Sequence, residues 1–201
     1  RFEYPQFGLE QSKGRSVSNE FVIPAGRVVK INLRSDDVIH SFWLPKVAGK
    51  VDLVPGRKNG MWIQADRPGN YYGQCAEFCG DSHAYMLFRC LVVSDAEFKT
   101  WVEKQKANAV APSTELAKKG EELFKSKTCV MCHTVGGLAG AAGAFGPDLT
   151  HLASRTTLAG AWLFNYDDKA HAAKEAAAGN TLVVPVVDKK ILKDNLVQWI
   201  G

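Results

Sequence analysis

Cys75-Ala-Glu-Phe-Cys79-Gly-Asp-Ser-His83-Ala-Tyr-Met86 sets two thiols four residues apart, an imidazole four further on and a thioether three beyond that. Soft thiolate and thioether donors combined with imidazole favour copper over magnesium, calcium or manganese. Two deprotonated cysteines can bridge two metal ions, and each ion then still needs a terminal nitrogen. His83 offers one. The only histidine upstream is His40, in D-V-I-H-S-F-W at residues 37–43, so it is the candidate for the other.

Working outward from this stretch, residues 21–93 read as short strands. F-V-I-P, R-V-V-K-I-N-L-R, M-W-I-Q-A and M-L-F-R-C-L-V-V are rich in β-branched and aromatic side chains. Turn signals separate them: P-A-G at 24–26, V-P-G-R at 54–57, R-P-G-N at 67–70 and C-G-D-S at 79–82. The spacing predicts an antiparallel Greek-key sandwich. His40 is expected after the strand ending near Arg34, and the Cys75–Met86 loop between the last two strands, so that both ligand groups meet at one end. Cys90, inside an apolar run, reads as a buried strand thiol.

The texture changes at Ser94. S-D-A-E-F-K-T-W-V-E-K-Q-K-A carries an N-cap serine, Glu97 three residues on, and Phe98, Trp101 and Val102 at helical spacing. The small, polar A-N-A-V-A-P-S-T that follows reads as a linker. Beyond it, T-E-L-A-K-K-G-E-E-L-F-K-S-K, with Leu116, Gly120, Leu123 and Phe124 on one face, predicts a helix. So do the runs at 161–179 and 188–200. The organisation expected is residues 1–94 as a β domain, 95–112 as helix and linker, and 113–201 as a small all-α domain.

Within the second domain, Cys129-Val-Met-Cys132-His133 is the pattern that attaches haem covalently. Thiols one helical turn apart can add to the two haem vinyl groups, and the adjacent histidine ligates iron from the proximal side. A zinc site would want two further ligands close by; His151 and His171 are present, but a second cysteine pair is not. The distal ligand is open. Met61, Met86 and Met131 are the only methionines, and none follows the haem motif. His151 and His171 are candidates, each also readable as an ordinary surface histidine or one near a haem propionate.

Composition excludes other classes. The 201 residues are 46% hydrophobic and 23% charged with a net charge of +4, as in ordinary globular protein. Residues 1–110 carry 15 basic and 12 acidic groups, and 111–201 carry 10 and 9. Neither part holds the basic stripe that nucleic-acid binding needs. No apolar run approaches a membrane span of about 20 residues. Arg1 in place of an initiator methionine reads as a processed or trimmed polypeptide. Five cysteines, four of them in two short motifs, do not make a disulfide framework.

Together these motifs resemble subunit II of haem–copper cytochrome c oxidases, in the bacterial type with a fused C-terminal cytochrome c. The first part resembles the cupredoxin-like domain with dinuclear copper (CuA), through D-V-I-H-S-F-W, V-P-G-R, R-P-G-N-Y-Y-G-Q-C-A-E-F-C-G and S-H-A-Y-M. The resemblance implies that Cys75 and Cys79 bridge two coppers, with His40 and His83 as terminal ligands. It also implies Met86 as a weak axial ligand and Glu77 as donor of its backbone carbonyl. R-F-E-Y-P at the start resembles the segment just after the family's membrane helices, so an anchor is expected upstream. In the second part G-P-D-L-T-H-L-A-S-R resembles the haem-domain motif, with Pro147 against the proximal histidine. The family's distal-methionine segment has as its counterpart A-A-G-N-T-L-V-V-P at 177–185, which puts Val184 near that methionine's place. Valine cannot ligate iron, so the haem is ligated differently, or it is five-coordinate, or the natural protein departs from this sequence in this region.

The function implied is that of an electron-transfer subunit of a terminal oxidase, passing electrons from a donor through haem c to copper and on to the oxygen-reducing subunit. No residue of this chain is expected to act on oxygen itself. The implied partners are a membrane-embedded subunit I, other oxidase subunits and a soluble or complex-bound, cytochrome c-like donor, on the outer face of a bacterial membrane. Trp43, Tyr71 and Tyr72 flank the ligands and read either as packing or as an electron-entry surface. Three rivals remain. Nitrous oxide reductase is disfavoured by Glu77 standing where that family has Trp. The others are a nitric oxide reductase with a copper domain, and a free-standing di-copper and haem carrier or copper-delivery protein.

Overall fold

The computed structural model describes residues 1–178 and 183–200. These form two compact units: residues 1–18 with 99–154, and residues 19–98 with 155–201.

The second unit is built on a five-stranded sheet. Its strands are β1 (Glu20–Pro24), β3 (His40–Trp43), β4 (Lys50–Leu53), β6 (Gly69–Cys75) and β7 (Leu87–Val93), in the order β1-β7-β6-β3-β4. β2 (Val29–Leu33) and β5 (Asn59–Ile63) form a separate antiparallel ribbon. The result is the cupredoxin-like β fold that the sequence predicts, with one difference. β1 and β7 run parallel, Phe21 opposite Cys90 and Val22 opposite Leu91. Parallel neighbours need a long crossover, and here the chain from β2 through β6 supplies it.

The interior explains the register. Phe42 stacks on Phe88 with centroids 4.8 Å apart, and Phe21 lies 6.1 Å and 6.2 Å from the two. Leu44, Ile63, Val92 and Cys90 are fully enclosed. Burying one such side chain contributes about 1.5–3 kcal/mol. Gly73 on β6 faces the Phe88 ring so closely that any Cβ would overlap it. Burial holds the Cys90 thiol protonated by pushing its pKa far up.

The same unit contains a short hairpin, β8 (Thr157–Leu158) with β9 (Leu163–Phe164), then α4 (Asp168–Ala177) and α5 (Lys189–Ile200). The helix expected from residue 161 therefore begins later. Asp167 caps α4 by accepting from the Ala170 N–H at 2.9 Å, and the Trp-Leu-Phe-Asn-Tyr run before it takes extended and turn structure. Aromatic residues favour strand, and Asp favours the N-cap.

In the first unit, α1 (Asp95–Lys106) contributes its later turns, followed by α2 (Glu115–Ser126) and the single-turn α3 (Cys129–Cys132). At the start of α1 the Ser94 hydroxyl and N–H both donate to the Glu97 carboxylate, at 2.6 and 2.9 Å, and the Glu97 N–H returns to the Ser94 hydroxyl. This is the capping box predicted. Thr114 caps α2 through the Ala117 N–H. The opening segment folds back on itself through bridges Phe2–Val17 and Tyr4–Leu9, and Tyr4 packs edge-on against Trp101 at 5.1 Å.

Candidate metal centre

Three pieces of backbone bring the soft donors together. β6 ends on Cys75, β3 begins with His40, and a 3₁₀ turn at His83–Tyr85 leads into β7. The Cys75 N–H donates to the Met86 carbonyl at 3.0 Å, closing the loop between β6 and β7, and the Ala76 N–H donates to the Ser41 carbonyl at 3.0 Å, tying it to β3.

The donor atoms of His40, Cys75 and Cys79 lie within 4.8 Å of one another. The two sulfurs are 3.9 Å apart. His40 Nδ1 is 3.8 Å from the Cys75 sulfur, and the Glu77 carbonyl oxygen is 3.3 Å from that same sulfur. On the other side, His83 Nδ1 stands 3.5 Å and the Met86 sulfur 4.0 Å from the Cys79 sulfur. The structure thus gathers all six residues singled out by the sequence around one pair of thiols.

Electrostatics fit a bound cation. Burial opposes ionisation of Cys75, but backbone hydrogen bonds at Glu77 and Ser41 and the imidazoles of His40 and His83 outweigh it, lowering the thiol to about 7. Cys79 is pushed up to about 11 by burial and by the Cys75 sulfur beside it. One proton leaves readily and the second is held, because two thiolates so close repel. A metal ion between them removes that conflict, and thiolate, imidazole and thioether together are a copper donor set.

In the other unit, α3 carries Cys129 and Cys132 at its two ends, and His133 follows in extended conformation. His133 Nδ1 donates to the Pro147 carbonyl at 2.8 Å. That bond leaves Nε2 as the free acceptor for a metal. Gly146 lies against the ring, where a Cβ would stand 2.5 Å from it. Leu116 and Leu123 on α2, Met131 in α3 and Phe145 are all exposed, Phe145 at 92%. Exposed apolar residues flanking two thiols and a free imidazole nitrogen fit a flat apolar group joined through sulfur. Of the distal candidates, His151 Nε2 donates to the Gln105 carbonyl at 3.1 Å. His171 is buried edge-on against Tyr166, 3.3 Å from the Glu175 carboxylate on its own helix. Within 177–185, the stretch aligned with a distal-methionine segment, residues 179–182 lie outside the described residues.

Comparison with known proteins gives these geometries their context. A family model for the periplasmic domain of cytochrome c oxidase subunit II matches residues 4–94, and one for cytochrome c matches residues 117–186. Residues 4–94 belong to the family of the periplasmic domain of cytochrome c oxidase subunit II. Cytochrome c oxidase subunit 2 of Alkalihalophilus pseudofirmus is 41% identical over 167 residues, covering 83% of this chain and 47% of the relative. That of Bacillus subtilis is 36% identical over 167 residues, covering 79% and 45%. The chain therefore spans about half the length of the curated relatives it matches. The solved periplasmic domain of subunit II from Bradyrhizobium japonicum is 43% identical over 48% of this chain and 70% of that one, with a TM-score of 0.43. The matched families imply copper at the first site and haem at the second. Among the described residues no helix is long and apolar enough to cross a membrane.

Some residues at the site escaped the sequence reading. Asp37 accepts from His40 Nε2–H at 2.9 Å, and that bond draws the carboxyl down to about 2. In return the His40 pKa rises despite burial. The spacing D-x-x-H was the available signal. Phe78 sits edge-on to His83 at 5.8 Å. Of the aromatic residues suspected of forming an entry surface, Tyr71 is buried with its hydroxyl donating to the Arg67 carbonyl. Tyr72 stacks with the Arg89 guanidinium at 4.0 Å, and Trp43 is half-buried. For the two tyrosines, packing is the role the structure displays.

Proposed function

We propose that this chain is the electron-transfer portion of subunit II of a terminal respiratory oxidase. Residues 1–94 would be its copper domain, 95–112 a helix and linker, and 113–201 a cytochrome c domain on the outer face of a bacterial membrane. The observation that carries this reading is the convergence of four further donors on one thiol pair in a chain that also bears a haem-attachment motif.

When bound, a copper pair and a haem each supply a one-electron site of low reorganisation. The chain's own residues hold and insulate them. Cys75 and Cys79 would hold the metals through their thiolates, with His40 and His83 each offering Nδ1. The Met86 thioether and the Glu77 carbonyl would serve as weaker donors. Asp37 keeps His40 Nε2 protonated, so that Nδ1 alone is free to ligate. Cys129 and Cys132 would anchor the haem, and the Pro147 carbonyl, by holding His133 Nδ1–H, leaves Nε2 available to ligate the iron. Electrons would enter from a cytochrome c-like donor and leave to a membrane-embedded subunit I, where oxygen is reduced.

Rapid mixing tests this reading. In the subunit carrying both groups, a limiting amount of reductant should first reduce the haem. The electron should then appear on copper at a rate independent of protein concentration. Copper that stays oxidised beside reduced haem would contradict the relay. Co-purification with a nitric oxide-reducing subunit would instead favour the reductase reading.

A further inference from the structure

The turn between β8 and β9 passes through Ala159, Gly160 and Ala161 with φ of 51°, 65° and 60°. Two non-glycine departures into the left-handed region, one on either side of Gly160, persist only where surrounding contacts impose them. Those contacts fall on the metal loop. The Leu87 N–H donates to the Gly160 carbonyl at 3.1 Å, and the buried Arg89 guanidinium donates to the Ala161 carbonyl at 3.2 Å. Trp162 packs edge-on against Tyr85, centroids 5.1 Å apart at 89°. Gly160 lies so close that a Cβ there would run into the Tyr85 carbonyl oxygen. The hairpin is held in turn by Glu20 of β1, which accepts from Thr156 and Thr157.

Met86 lies between the two residues so gripped. Its carbonyl accepts from Cys75, its N–H donates to the His83 carbonyl at 3.2 Å, and the next N–H goes to Gly160. The Cys75 and His83 bonds come from within the metal loop, whereas the Gly160 bond comes from a segment more than 70 residues downstream.

We infer that the 159–162 turn is a positioning element for the metal centre, with Gly160 and Trp162 fixing how far the Met86 thioether stands from the metals. The inference rests on the copper reading above. A weak axial donor tunes the potential of a copper–thiolate site. Withdrawing the thioether removes electron donation to the more highly charged oxidised form, so the potential rises.

The test compares the copper-loaded chain with Gly160→Ala, Trp162→Ala and Gly26→Ala. Gly26 has φ of 71° and nothing within 4 Å of a Cβ, so Gly26→Ala reproduces the backbone strain of Gly160→Ala without its contact. Gly160→Ala and Trp162→Ala should keep the copper–thiolate bands and the haem spectrum. They should alter the copper hyperfine splitting and favour reduction by roughly tenfold, an upward shift of about 59 mV for one electron. Gly26→Ala should match the parent protein. If Gly160→Ala does not fold, Trp162→Ala decides the matter, since the Trp162 ring is half exposed. A parent protein with a mixed-valence signal and two unshifted turn variants overturns the inference and leaves the copper reading standing. A single-copper signal in the parent overturns both.

Discussion

Asp37 is largely exposed, yet it decides how His40 presents itself to a metal. By accepting from Nε2–H at 2.9 Å it fixes the neutral tautomer with its lone pair on Nδ1, the nitrogen facing Cys75. Partners of this kind are worth about 10–100-fold in metal affinity. Asp37→Asn should weaken copper retention by about that factor in a competitive chelator titration, with the fold intact by circular dichroism. Unchanged retention would show that the loop alone orients the imidazole. Cys90 is the contrasting residue. It has the same thiol chemistry, but it is enclosed in β7 opposite Phe21, where burial keeps it protonated. Sequence placed Cys90 in a strand and Cys79 in a loop, as the structure does, because Cys90 lies within the run M-L-F-R-C-L-V-V and Gly, Asp and His follow Cys79. Asp37 was overlooked because an acidic residue in a polar turn carries no periodic signal of its own.

Among the elements, the ladder β1–β7 carries an unusual load. Glu20 lies across from Arg89, and both are buried. Burial raises the Glu20 pKa from its ordinary value of 4.5, although the hydroxyl and N–H groups of Thr156 and Thr157 and the Arg155 charge act against it. An acid whose pKa is raised on folding binds its proton more tightly in the folded state. Stability is therefore complete below the unfolded value and declines as pH rises from about 4.5 through the folded value. Glu20→Gln removes the titration, so its stability relative to the parent should climb over that interval in denaturant melts at a series of pH values. A constant difference would place the charge cost elsewhere. Elements also show where reading the sequence stops. The capping box at Ser94 and the strand that holds Cys90 were visible because their signals lie within a few residues. β3, β4, β6 and the β8–β9 hairpin were not. β3 and β4 are four residues long, and the hairpin's apolar run matches a helical period until Asp167 ends it. The parallel pairing of β1 with β7 joins residues about 70 apart, and no local pattern encodes it.

For the whole molecule, the two chemical motifs were legible because each gathers all or most of its candidate ligands into a short span, Cys75 to Met86 and Cys129 to His133, with His40 the exception. The return of residues 155–164 to the sheet that carries the metal loop was not legible, since it depends on Gly160, Trp162, Arg89 and Glu20 meeting across the fold. In the proposed function Cys75 and Cys79 would hold two coppers sharing one unpaired electron. Electron paramagnetic resonance of the oxidised, fully loaded chain tests it most directly. A seven-line hyperfine pattern is expected, and Cys75→Ser should abolish it while the haem spectrum persists. A four-line pattern from fully loaded parent protein, as from a single copper, would contradict it.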